Sequence, residues 1–190
     1  MTKYTGSFEE LVAHGKRYSI VYADPPWLYT KNHTADASKH YKLMAFEDLV
    51  NMQVKRIMEE NAALFMWATC PRLHVAMNLI KKWGLNYRGV IYNWVKMTKD
   101  GHYLDGVGII PTFTKPTSEL VLAATICKEG RPFPIHSFNQ EQVVLAPRGK
   151  HSEKPLKVAT NIVELCGHIS RIELFARDEK PGWDSWGNEL

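Results

Sequence analysis

Short apolar runs alternate with amphipathic stretches along the chain, and this pattern predicts strands alternating with helices. The apolar runs are rich in β-branched and aromatic residues, as strands buried on both faces require. They predict strands at residues 18–23, 64–68, 90–95, 120–125, 142–145 and 171–175. Near-continuous apolar strands separated by helices predict an α/β fold with a mostly parallel sheet, in a single domain over residues 1–190.

The helical stretches carry their own start and stop signals. Ser7 and Glu10 have the spacing of a capping box, so a helix is expected from there to His14, ending at Gly15. Further helices are predicted over residues 46–60 in two pieces, over 71–83 ending at Gly84, and over 155–166 with a proline in the first turn.

The segment after the first predicted strand, Asp24-Pro25-Pro26-Trp27, lies where ligands bind in parallel sheets, at a carboxyl strand end. Two prolines cannot continue a central strand, so the chain must leave the sheet there. Their carbonyls and the Asp24 carboxylate are acceptors, and Trp27 is a flat face for stacking. Acceptors beside an aromatic plate suit an amino group on a planar base. A proline turn with a half-buried tryptophan is the structural alternative, which spacing alone leaves open.

Composition and charge narrow the class of protein. The 190 residues are 45% apolar and 23% charged, which is ordinary for a globular domain and excludes a disordered chain. The apolar runs are far shorter than the roughly 20 residues that cross a bilayer. The N-terminus lacks the apolar stretch of a secretion signal, so we expect a soluble cytoplasmic protein with no membrane partner. The net charge of +4 is compatible with an anionic partner without requiring one.

The cysteines and histidines do not predict a metal site. Cys70, Cys127 and Cys166 are widely separated, and an odd number without a close pair suits a reducing compartment. His151 and Glu153 match the H-x-E half of a zinc deaminase signature, but the P-C-x-x-C half is missing.

The segment Asp24-Pro25-Pro26-Trp27 resembles the D-P-P-W signature of the MT-A70 family, the adenine-N6 methyltransferases that use S-adenosyl-L-methionine. Further family motifs follow in the same order: H-Y-x-x-M with Tyr41 and Met44, L-F-L-W at Leu64-Phe65-Met66-Trp67, W-x-K at Trp94-Val95-Lys96, G-x-G at Gly106-Val107-Gly108, N/H-x-E at Ser118-Glu119-Leu120, and H-S-x-K-P at His151-Ser152-Glu153-Lys154-Pro155. The tail, residues 171–189, closely resembles the R-x-E-L-F-A-R … P-G-W-x-x-W-G-N-E ending of bacterial and phage members. The matches span residues 18–189, nearly the whole chain.

The resemblance implies a circularly permuted Rossmann-like class I methyltransferase fold, with helices on both faces of a mostly parallel sheet. The catalytic strand would come early in the chain and the cofactor-binding strand last. A negative observation agrees, because none of the predicted strands is followed by a G-x-G-x-x-G turn. Glu189 stands where eukaryotic members often have glutamine, which favours the bacterial branch. Residues 178–180 lack the His-Asn of the eukaryotic enzyme, so no contact is carried over to them.

The resemblance also assigns roles to residues. The catalytic set would be Asp24, Pro25, Pro26 and Trp27, in which Asp24 and the Pro25 carbonyl hold the adenine amino group. The cofactor-binding set would be Asp24, Lys154, Glu173, Phe175, Arg177, Asn188 and Glu189, with Lys154 and Arg177 on the carboxylate or ribose and the last two on ribose hydroxyls. The substrate-binding set would be Tyr41, Trp67, Trp94 and Glu119. Core packing of the two tryptophans, and a structural ion pair for Glu119, are equally open alternatives.

The function expected from the resemblance is direct methyl transfer to N6 of adenine in DNA, without a metal or a covalent enzyme intermediate. Two alternatives stay open: methylation of RNA adenine, and a catalytically silent subunit that grips nucleic acid for a partner. Candidate phosphate contacts are Lys96, Lys99, Arg131, Arg148 and Lys150, each of which is also compatible with a plain solvated charge. The glycine-rich connection over residues 97–117 is a candidate lid, and a homodimer would widen the footprint on nucleic acid.

Overall fold

The computed structural model describes residues 1–27, 43–104, 114–127, 133, 135–150, 152–187 and 190. Its strands are β1 (Lys3–Tyr4), β2 (Tyr18–Ala23), β3 (Met58–Thr69), β4 (Asn86–Met97), β5 (Ser118–Thr125), β6 (Val143–Pro147), β7 (Arg171–Leu174) and β8 (Asp184–Trp186). Its α-helices are α1 (Phe8–Ala13), α2 (Phe46–Asn51), α3 (Leu73–Lys82) and α4 (Leu156–Cys166), and two short 3₁₀ helices cover Val54–Ile57 and Cys70–Arg72.

The described strands form one eight-stranded sheet in the order β1-β8-β7-β2-β3-β5-β4-β6. Strand β5 is antiparallel to both neighbours, β3 and β4, and the other pairings are parallel. The parallel strands therefore bring their carboxyl ends to one edge of the sheet, and β5 begins at that edge because it runs the opposite way. The register places Ala23 opposite Leu174, and Thr69 opposite Glu119.

Helices cover both faces of the sheet, over two separate apolar clusters. On one face Leu11 of α1, Leu49 of α2 and Leu79 of α3 pack against strand residues that include Leu64. On the other face α4 packs Val158 and Ile162 against residues of the same strands, which point the opposite way in the pleat: Ile20, Tyr22, Ala63, Phe65 and Trp67. The mixed α/β architecture predicted from the alternating pattern is confirmed.

Local signals predicted several boundaries correctly. The strand over residues 18–23 is found as predicted, and the capping box of α1 is formed, with reciprocal hydrogen bonds between Ser7 and Glu10. Gly15 and Gly84 both follow helices in the left-handed conformation, at φ values of 71°. None of the described helices is long and apolar enough to cross a bilayer.

The helix predicted over residues 46–60 is wrong in its last part. The α-helix ends at Asn51, one 3₁₀ turn follows, and residues 58–60 begin β3. The reason is tertiary pairing, because Met58 lies beside Tyr18 in the parallel ladder and ladder hydrogen bonds outweigh a weak helical preference. The two shortest strands, β1 and β8, were not predicted, because two or three residues carry no periodicity.

Candidate functional site

Four charged residues from different parts of the chain meet at the carboxyl edge of the sheet. The Nζ atom of Lys154 lies 3.1 Å from Oδ2 of Asp24 and 3.1 Å from Oε2 of Glu119. The Nζ atom of Lys96 lies 2.6 Å from the other oxygen of Glu119, Oε1. The four side chains are only 12–19% exposed. We call this set, Asp24, Lys154, Glu119 and Lys96, the edge network; it contains two cations and two anions.

Each member of the edge network is placed by a different element. Asp24 follows β2 directly, and Glu119 is the second residue of the antiparallel strand β5. Lys96 is the penultimate residue of β4, which runs parallel to β6. Lys154 precedes Pro155, the N-cap of α4, and a residue before proline is restricted to extended conformations. The sheet order and the start of α4 thus bring the four groups together.

The mutual attraction of these groups keeps the central pair charged. Burial lowers the pKa of Lys154, but Asp24 and Glu119 together outweigh burial and raise this pKa above its ordinary value. Burial raises the pKa of Glu119, yet Lys154 and Lys96 outweigh it and hold this pKa below its ordinary value. At neutral pH Lys154 is therefore a cation and Glu119 an anion.

Two buried tryptophans lie beneath the lysines. Trp67 and Trp94 are 1% and 2% exposed, with ring centroids 6.0 Å apart in an edge-to-face arrangement. The indole N–H of Trp67 donates to the hydroxyl of Tyr22 at 2.5 Å, and that of Trp94 donates to a backbone carbonyl. The Nζ atoms of Lys154 and Lys96 lie 5.5 Å and 5.3 Å from the Trp67 and Trp94 centroids. This placement favours core packing over base stacking for both tryptophans, since their rings support the two cations.

The Asp-Pro-Pro-Trp segment forms a tight turn out of the sheet. The carbonyl of Pro25 accepts a hydrogen bond from the amide of Trp27 at 2.9 Å, and that of Pro26 accepts one from the amide of Met44 at 2.9 Å. A carbonyl oxygen has a second lone pair, so each retains capacity for one more donor. Trp27 is 8% exposed and belongs to the apolar cluster on the α1–α3 face. It also lines a cleft of about 280 Å³ together with Arg72 and with residues of α2 and α3 that include Phe46 and His74.

The predicted cofactor-binding carboxylate, Glu173, is buried on β7, the strand beside β2. Both of its oxygens accept hydrogen bonds from the Nζ atom of Lys180, at 2.9 and 2.6 Å. Burial raises the pKa of Glu173 above its ordinary value, while Lys180 acts in the opposite direction. Sequence reasoning carried no contact over to Lys180, and its spacing from Glu173 holds no recognisable signal, because the pairing depends on the turn between them.

That turn is shaped by the backbone. Phe175 directly follows β7 and has a φ of 61°, in the left-handed region, and its ring packs edge-to-face on Trp186 at 5.5 Å. The amide of Ala176 donates to the carbonyl of Trp186 at 3.0 Å. Gly187 lies so close that a Cβ atom there would be 2.1 Å from the carbonyl oxygen of Ala176. The two chain segments therefore need glycine at this position.

The remaining predicted residues are distributed as follows. Arg177 is half-buried in the turn between Glu173 and Lys180, and the phosphate candidates Lys99, Arg148 and Lys150 are exposed. Lys96 differs from these three because its ammonium is turned inward onto Glu119. Predictions for Tyr41, Asn188, Glu189, Arg131 and residues 105–113 of the candidate lid lie outside the described residues. Among the described residues, no group of three or more His, Cys, Asp or Glu side chains is placed to hold a metal ion.

Comparisons with known proteins agree with the family resemblance. The model of the MT-A70 family matches residues 18–189. The chain is 32% identical to the Type II methyltransferase M.MunI of Mycoplasma sp, over 92% of this chain and 78% of that protein. It is 27% identical to the N(6)-adenine-specific methyltransferase METTL4 of Mus musculus, over 96% of this chain but 39% of METTL4. It is 24% identical to the N6-methyladenosine RNA methyltransferase MTA1 of Pyricularia oryzae, over 95% of this chain and 49% of that protein.

Proposed function

Because the chain belongs to the MT-A70 family, whose members depend on S-adenosyl-L-methionine, we propose that it methylates the N6 amino group of adenine in DNA. The observation that carries the proposal is the carboxylate of Asp24 at the carboxyl end of β2. This carboxylate is held 3.1 Å from Lys154 and one strand away from the buried Glu173. S-adenosyl-L-methionine supplies an electrophilic methyl group on a sulfonium sulfur, so the chain must bind it and orient an amino nitrogen toward it.

Asp24 is the residue we assign to the amino group. Its Oδ2 is engaged by Lys154, so Oδ1 accepts an N–H of the amino group and takes up the proton released after transfer. The second lone pair of the Pro25 carbonyl accepts the other N–H. Both acceptors are fixed before the substrate binds: the edge network holds the Asp24 carboxylate, and the proline turn holds the Pro25 carbonyl. Little entropy is therefore lost in orienting these groups during the reaction.

The cofactor is assigned to the edge formed by β2 and β7. The donor set there fits the group: Glu173 is an acceptor for hydroxyls, Lys154 and Arg177 are cations for a carboxylate, and Phe175 is an apolar surface. The close backbone contact at Gly187 shapes the turn that carries Phe175 and Arg177. Asn188 and Glu189 complete the proposed set as ribose ligands.

We also propose that the fold is circularly permuted within a single domain over residues 1–190. The support is topological, because the strand that precedes Asp24 comes early in the chain and the strand with Glu173 comes late, yet they are neighbours in the sheet. A circular permutation would produce this neighbourhood of an early and a late strand.

We propose DNA rather than RNA as the substrate because M.MunI, a Type II methyltransferase, is 32% identical to this chain over most of both proteins. RNA is the second candidate, since MTA1 is named as an RNA methyltransferase and also matches most of this chain. A silent binding subunit is disfavoured by the intact Asp24 turn. A homodimer stays a prediction from the sequence.

Transfer of labelled methyl groups from S-adenosyl-L-methionine to duplex DNA, single-stranded DNA and RNA tests the proposal. We expect N6-methyladenine in DNA, and a loss of at least about 100-fold in rate for Asp24→Ala. Glu141→Ala is the control, because Glu141 is an exposed carboxylate just before the amino end of β6, and it should retain full activity. Preferential methylation of RNA would overturn the substrate assignment, and binding of nucleic acid without methylation would support the silent subunit.

A further inference from the structure

The side chain of Lys96 is half-buried and ion-paired, unlike the exposed lysines that are candidate phosphate contacts. Its side chain is 18% exposed, with the ammonium 2.6 Å from Glu119 and over the ring of Trp94. Its backbone is fixed on both sides, because its amide donates to the carbonyl of Thr117 at 2.9 Å and its carbonyl accepts from the amide of Leu104 at 3.1 Å. The ammonium is therefore committed to the interior of the sheet edge.

Glu119 is the link between the two lysines. One carboxylate oxygen, Oε1, faces Lys96, and the other, Oε2, faces Lys154. Because each ammonium occupies a different oxygen, the orientation of the carboxylate is set by both. Lys154 lies at 3.1 Å from Glu119 and also from Asp24, so its ammonium is shared evenly between the two anions.

This even sharing depends on the charge of Lys96. Without it, the edge network would hold one cation and two anions, and both oxygens of Glu119 would compete for Lys154. Opposite charges at hydrogen-bond separation attract strongly at the low effective dielectric of a partly buried site. Lys154 would then move toward Glu119 and away from Asp24, and Asp24 would lose the contact that orients it.

We propose that Lys96 is a positioning residue for methyl transfer, which acts through Glu119 to hold the Lys154 ammonium between Glu119 and Asp24. The inference rests on the proposed function, since Asp24 is the residue that it serves. Lys96 itself touches neither the amino group nor the cofactor. The proposal adds Lys96 to the site as a residue that acts through its neighbours, and Lys96 is then no longer a candidate phosphate contact.

Kinetics of Lys96→Met test the proposal. The methionine keeps the length of the side chain but removes its charge, so we expect kcat to fall about 10- to 100-fold while KM for nucleic acid and its salt dependence stay unchanged. Lys96→Arg, which keeps the charge, should restore most of kcat. Lys55→Met removes an exposed lysine in the 3₁₀ turn and should leave all parameters unchanged. A raised KM with a flatter salt dependence and unchanged kcat would overturn the proposal in favour of phosphate contact.

A double-mutant cycle separates positioning from general destabilisation. If Lys96 acts through Glu119, then adding Lys96→Met to Glu119→Gln should cause little further loss of residual activity. An equal loss in both backgrounds would overturn the proposed route. Thermal unfolding of every variant identifies any that fail to fold, and Lys96→Gln replaces Lys96→Met in that case.

The pKa of Glu119 gives a readout that does not need activity. Glu119 faces Lys96 from β4 and Lys154 from the start of α4, with Asp24 and the phenol of Tyr22 on the β2 side. Loss of Lys96 should raise the pKa of Glu119, observed by NMR of a ¹³C-labelled carboxyl group. The acid limb of the pH–rate profile should shift to higher pH in parallel. If the wild type methylates nothing, the proposed function fails, and the NMR titration still decides the coupling: an unchanged pKa of Glu119 overturns it.

Discussion

Replacing Lys154 with methionine should destabilise the fold, because it removes the cation that Asp24 and Glu119 share. Breaking a fully buried ion pair costs about 3–5 kcal/mol, because the remaining charge is left without its partner. Lys154 pairs with two carboxylates at 3.1 Å, but the side chains are 12–19% exposed, so water compensates in part. We therefore expect a loss of about 3 kcal/mol in the free energy of unfolding, at the lower end of that range. For a domain of this size the loss lowers Tm by about 6–12 °C.

The pH dependence of this loss follows from the two shifted groups. Lys154 has a raised pKa, so its stabilisation is complete below its unfolded pKa and is lost as the pH rises through the folded value. Glu119 has a lowered pKa, so its stabilisation is present above its unfolded pKa and is lost as the pH falls through the folded value. The difference between wild type and Lys154→Met should thus be largest near neutral pH and narrow toward both extremes.

Urea unfolding at several pH values measures the effect. Lys157→Met is the matched control, because Lys157 is an exposed lysine on α4, one turn further along, and its removal should change stability by no more than about 0.5 kcal/mol. If Lys154→Met unfolds at the same urea concentration as the control, the ion pairs do not hold the sheet edge together. That result would refute the electrostatic account of the site.

Two further substitutions examine the turn after β7. Gly187→Ala should cost about 1–3 kcal/mol in urea unfolding and weaken cofactor binding, because its Cβ would lie 2.1 Å from the backbone oxygen of Ala176; wild-type stability would contradict the close contact. Lys180→Met removes the cation that opposes the raised pKa of Glu173, so the pKa should rise further. As the pH is lowered, Glu173 should then be protonated earlier, so the affinity for S-adenosyl-L-methionine measured by calorimetry should decrease at a higher pH than in the wild type. Glu179→Gln, an exposed neighbour, serves as the control, and an identical pH dependence in both variants would argue against the role of Lys180.

The parts of the fold that could be predicted are those with local signals. The strand before Asp24 is short, apolar and ended by two prolines, so its bounds follow from chain stereochemistry alone. The capping box at Ser7 and the glycine after α3 are also local, and both were predicted correctly. The position of Asp24 at a carboxyl strand end needed just this local knowledge plus the general rule for parallel sheets.

The edge network could not be predicted in the same way. Its residues are far apart in the chain, and their meeting depends on the antiparallel insertion of β5 between β3 and β4. From the sequence, Lys96 was a candidate phosphate contact or a plain solvated charge, because a lysine after an apolar strand has no local signal that distinguishes these roles from an ion pair. Its burial depends on Glu119, which comes from a strand that only the folded sheet brings alongside. The tryptophans present the same difficulty, since their packing and stacking roles share one sequence pattern.

The backbone contact between Ala176 and Gly187 separates the shape of the turn after β7 from its charge. The amide and carbonyl groups that close this contact belong to residues 176 and 186, and the space that Gly187 leaves is set by main-chain atoms. Residues 177–180 follow this contact, and the ammonium of Lys180 faces both oxygens of Glu173. A substitution at Lys180 can therefore change the ionisation of Glu173 while the main-chain contact keeps the turn in place.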